Sequence, residues 1–222
     1  MCDLPGCPNG DSEPIELTDE NRPAMRVEAT SAALHMLNHY VRGWSQGADG
    51  ILADISDKWG FAGVTRVMYI FAQAVAILPM PEDSPLQPAT PQSIRERIAR
   101  VAGEEAAEHL AVQMVAFGEQ VTAAFKESVA LAARGHEHEA AFTARFDQIT
   151  DAENVVGPLL KSLMLYATVV FAAAQRDSNI FALDQFQSAC RAGMDLGAHD
   201  EDAARELAEL TELFNMKEAD GH

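Results

Sequence analysis

Two apolar runs constrain this chain more than any other feature. Residues 67–78 carry no charge, and residues 155–174 carry one, Lys161. Runs this apolar have to be hidden from water. The first is too short to span a bilayer and is stopped by Pro79. The second has a spanning length, but it contains Pro158 and Lys161 and has no flanking aromatic or basic belt. Both are therefore expected as helices buried on most sides, 64–78 and 152–176, and not as membrane spans.

No stretch alternates apolar and polar residues in the manner of a half-buried strand. The expected fold class is all-α: a compact multi-helix bundle of about seven or eight helices, with the two strongly apolar helices at its centre. Asn21 and Pro23 mark the start of the first helix. Its stripe is Val27, Leu34, Leu37, Val41 and Trp44, and Gly47 and Gly50 are expected to end it. A short helix, 51–59, leads across Gly60 and Gly63 into the first apolar helix. Pro79, Pro81, Pro85 and Pro88 make 79–90 a linker and a candidate subdomain boundary.

Thr90-Pro91 then opens a helical pattern that runs to Gly135, with Gly103 and Gly118 as places where it can bend. Phe142, Phe146 and Ile149 share a face of a shorter helix. Thr150-Asp151-Ala152-Glu153 reads as a capping box for the second apolar helix. Ser178 or Asn179 caps a helix holding Phe181, Phe186 and Cys190, which Gly197 stops. A last helix begins near Asp200 and carries Ala203, Leu207, Leu210 and Phe214 on one edge. Residues 1–20 have three prolines, six acids and no apolar period, and are expected as a flexible acidic tail. Residues 21–222 are then a single all-helical domain.

The net charge of −18 is unevenly placed. Residues 1–20 carry −6 and residues 195–222 carry −7, which leaves the long body nearly balanced at −5. An acidic chain repels phosphate backbones and anionic membranes, so direct nucleic-acid binding is disfavoured. The start of the chain lacks the basic and apolar regions of an export signal, and three cysteines, Cys2, Cys7 and Cys190, do not make a disulfide framework. A cytoplasmic setting is expected. Twelve arginines against four lysines, with abundant alanine, fit a GC-rich coding sequence of the bacterial or phage kind.

The best candidate for chemistry is Glu105, Glu108 and His109. Ile94, Ile98, Val101, Val112 and Val115 repeat at spacings of three and four, and Glu105 and Glu108 fall on that line. Carboxylates and imidazoles pointing inward from helices are how di-metal bundles hold their ions, although the Glu-x-x-His pair of those sites is missing. His35 and His39 lie four apart, on a face shared with Glu28, Arg42 and Gln46 that is expected to be solvated. His136-Glu137-His138-Glu139 reads as a solvated turn. Cys2 and Cys7 lack the second ligand pair that a zinc site needs. Residues 51–67 have the outline of a helix-turn-helix, but Arg66 is the only base where a reading helix needs several.

No phosphate loop, dinucleotide fingerprint or nucleophile elbow occurs. The leading expectation is a non-catalytic helical interaction protein, acting through oligomerisation or a protein partner. The alternatives are a metal-dependent helical-bundle enzyme built on Glu105, Glu108 and His109, and an acidic DNA-mimic inhibitor. No particular cofactor is indicated.

Overall fold

Pro23 sits in the first turn of α1 (Arg22–Val41), where its missing N–H costs nothing and its fixed φ suits a helix. In this computed structural model the described residues are 14–82, 84, 92, 95–96, 99–100, 103–152 and 155–194. Within them, the side chains at 105, 106, 108, 109, 111, 112, 147 and 149–152 are not described. All regular structure among these residues is helical. Beyond α1 there are α2 (Ser45–Ile77), α3 (Glu104–Ala132), α4 (Glu139–Ala152), α5 (Val156–Arg176) and α6 (Ile180–Ala192), with a single 3₁₀ turn at His136–His138. There are six α-helices among the described residues, against an expectation of seven or eight for the whole chain. The expected helices 51–59 and 64–78 correspond to the two helical halves of α2, which are separated by a kink where Gly60 adopts φ 56 and ψ −145. The last expected helix, near 200–214, and most of the 79–90 linker lie outside the described residues.

The described chain divides into two compact units, one comprising 14–67 with Met194, the other Met68–Gly193. In the first unit α1 buries Met25, Val27, Leu34, Met36 and Leu37. Its stripe ends sooner than expected. Gly43, at φ 78, turns the chain before Trp44, and Trp44 is left 58 % exposed. Gly47 and Gly50 are accordingly inside α2 and terminate nothing. Arg66 is buried, and its Nε and Nη2 both donate to the Thr30 hydroxyl on α1, at 3.2 and 3.1 Å.

In the second unit α3 packs on α4 and α5, α4 also packs on α5, and α5 packs on α6. Phe142 and Phe146 of α4 stack with centroids 4.7 Å apart, and Tyr69 of α2 meets Phe142 edge-on at 5.1 Å. Phe171 of α5 meets Phe186 of α6 edge-on at 6.2 Å. Fully burying a side chain of this size stabilises by about 1.5–3 kcal/mol. Asn179 caps α6 as expected, its side-chain oxygen accepting from the Ala182 N–H at 3.2 Å. The second apolar helix does not start at the expected capping box: Thr150 and Asp151 are still inside α4, and α5 starts after Val155 with no side-chain cap.

The two apolar runs have different fates. Every residue from Val67 to Ala74 is buried, which is more than two full turns. In α5 one face is buried, through Leu159, Leu163, Ala167, Val170, Phe171 and Ala174, while Leu165 on another face is half exposed. By length and composition both α2 and α5 are apolar enough to cross a membrane; 61 % of the most apolar window of α2 is buried, but only 33 % of that of α5.

Candidate functional site

Glu105, Glu108 and His109 stand in the first turns of α3, and their side chains lie outside the described residues. The reasoning that grouped them assumed one helix from Ile94 to Val115. That assumption fails at Gly103, which takes φ 89 and stands as the N-cap of α3, so a helical line does not carry through it. Among the described residues, no three or more His, Cys, Asp or Glu side chains are placed to hold a metal ion. Cys2 and Cys7 lie outside the described residues, and Cys190 is a buried thiol on α6.

The other titratable candidates are built into structure. The face of α1 expected to be solvated is half covered by α2. Glu28 accepts from Lys58 Nζ and from Trp59 Nε1, both at 2.7 Å. His39 points its Nδ1 at Gly47, where an added Cβ would lie only 2.6 Å away. That nitrogen is buried with no hydrogen-bond partner, and the ring edge rests on Trp44 at 5.7 Å. Arg42 covers Trp44 at 5.8 Å. The Tyr40 hydroxyl donates to Asp49 Oδ1 at 2.9 Å. Burial, and then the hydrogen bond and charge of Asp49, push the Tyr40 phenol up to about 12. Arg66, the single base in the reading helix of the helix-turn-helix outline, is enclosed and bonded to Thr30, and so does not reach a phosphate backbone.

In the 3₁₀ turn, the Glu137 carboxylate folds back over Gly135, with His136 Nδ1 at 3.6 Å and His138 Nδ1 at 3.8 Å. Glu139 is buried, unlike the solvated residue expected. Beneath the turn, the Tyr69 hydroxyl donates to the Gly135 carbonyl at 2.9 Å and accepts from Gln73 Nε2 at 3.4 Å. This layer ties the end of α3 to the apolar part of α2.

A half-exposed apolar surface lies on α3. Ala124, Ser128 and Ala132 mark its buried face. Stepping back by three and four residues, the same face continues through Val121, Phe117, Met114 and Leu110. No residue from Gln113 to Ala123 is buried, and Leu110 and Met114 are 46 % and 49 % exposed. At the start of α6, Ile180 and Phe181 are 68 % and 73 % exposed. Sequence reasoning passed over Leu110 and Met114 because it followed the Ile94–Val115 line. The signal was the four-three-four spacing of 110, 114, 117 and 121.

These surfaces bring no precedent with them: no family model matches this chain, and comparison with curated proteins and with solved structures finds no match.

Proposed function

We propose that this chain is a non-catalytic helical-bundle protein that works by binding, through association with further copies of itself or with a protein partner. The observation that carries this reading is the face of α3, which is core-like in composition yet half exposed at Leu110 and Met114. Large apolar residues gathered on one exposed face are the usual mark of a binding surface. The exposed Ile180 and Phe181 add a second apolar element in the same unit. On this reading the acidic ends keep the chain soluble and the setting is cytoplasmic, with α2 and α5 as core helices and not membrane spans.

Sedimentation at micromolar concentration tests it, together with recovery of bound proteins from lysate. The wild type should associate or retain a partner. The double variant Leu110→Lys, Met114→Lys should lose that behaviour while keeping its helical circular dichroism. A wild type that stays monomeric and recovers nothing would end the reading. The metal-enzyme alternative predicts a stoichiometric transition metal by elemental analysis, and the DNA-mimic alternative predicts competition with DNA for basic proteins at low salt.

A further inference from the structure

An α-helix closes each turn by a bond from a carbonyl to the amide four residues on. In α2 the bond from the Lys58 carbonyl to the Ala62 amide would span Gly60, and the non-helical angles there prevent it from closing in the usual way. The Lys58 carbonyl is instead taken by the chain that precedes α1: the Ile15 N–H donates to it at 2.8 Å. Pro14 fills the space beside the break, its Cβ lying 3.2 Å from where a Cβ on Gly60 would be.

Two more features adapt the sequence to the broken form. Gly63 lies so close to the preceding turn that an added Cβ would come within 2.8 Å of both Ile55 Cγ2 and Trp59 Cβ. Glu28 of α1 holds the last two residues before the break through Lys58 Nζ and Trp59 Nε1. The turn before Gly60 is thus fixed, and the choice left open is which amide the Lys58 carbonyl accepts from.

We propose that residues 14–17 are a strap that holds α2 in its broken form, so that release of the strap and closure of the helix across Gly60 are one coupled event. With the strap seated, Ile15 occupies the Lys58 carbonyl and the break persists. With the strap lifted, that carbonyl is recovered by the Ala62 amide and α2 becomes continuous. The coupling is reciprocal, so anything that takes up the strap straightens the helix, and anything that straightens the helix frees the strap.

Residue-resolved hydrogen exchange on the full chain tests this. Ile15→Pro removes the donor, and exchange at the Ala62 amide should slow by about tenfold as it gains a helical acceptor. Gly60→Ala opposes the positive φ, and should slow Ala62 and speed the Ile15 amide by similar factors. Ile15→Val keeps the N–H and should change neither. A strap that merely props the fold would speed exchange throughout 55–67 when removed. An Ala62 amide that is unchanged or faster in Ile15→Pro, or an Ile15 amide that stays protected in Gly60→Ala, overturns the proposal.

Discussion

At the scale of single residues, His39 and Gly47 show how one missing methyl group decides a corner. Alanine normally favours a helix over glycine by about 0.8–1 kcal/mol, so Gly47→Ala inside α2 would be expected to stabilise. Here the new Cβ meets the His39 ring at 2.6 Å, and the ring must leave its place against Trp44. Gly47→Ala should therefore lower the melting temperature and shift tryptophan emission. In a His39→Ala background the same change should raise stability by up to about 1 kcal/mol. Tyr40 gives a second test. Its folded pKa of about 12 lies above the ordinary phenol value, so the folded state keeps the proton longer than the unfolded chain. Its contribution to stability is intact below the unfolded value and fades as pH rises towards 12. Tyr40→Phe should flatten that alkaline loss, read from urea denaturation at stepped pH, and Asp49→Asn should bring the phenol's ultraviolet titration to lower pH.

At the scale of elements, α2 carries the most information. Its apolar half meets a polar layer in which the Tyr69 hydroxyl serves both the Gly135 carbonyl and Gln73. Tyr69→Phe removes both links and should cost about 1–3 kcal/mol in chemical denaturation, because buried polar groups are then stranded. Adding Gln73→Met should return part of that cost. Much of this architecture was legible in advance: the helical period, the two apolar runs, Pro23 at the head of α1 and Asn179 as a cap all act through nearest neighbours. The glycines were harder to interpret, since what a glycine does depends on the φ required of it. Gly43 at φ 78 ends α1, Gly60 breaks α2 without ending it, and Gly47 is simply helical. Thr150 has the right side chain for a cap but lies inside α4, which continues to Ala152. The grouping of the metal candidates rested on the same kind of assumption. A line of residues drawn through Gly103 is meaningful only if the helix is continuous there.

At the scale of the whole molecule, charge and apolar surface act in opposite directions. The net charge of −18 opposes close approach of copies, while on the proposed reading the half-exposed face of α3 favours it. That balance should tip as the pH falls towards the isoelectric point near 4.6, where repulsion vanishes. Light scattering should rise steeply there in the wild type and far less in the Leu110→Lys, Met114→Lys variant.

The segment from Val67 to Ala74, enclosed on every side in the finished protein, also has a history during synthesis. It leaves the ribosome about a hundred residues ahead of the end of α5, and Phe142 of α4 is among its later neighbours. At 5–20 residues per second that is a wait of roughly 5–20 s with its most apolar surface uncovered. A nascent chain of this design is exposed to aggregation during that wait. Its yield in cells should depend on how quickly translation delivers α4 and α5, and slow codons placed between residues 78 and 139 should divert product into inclusion bodies without changing a single amino acid.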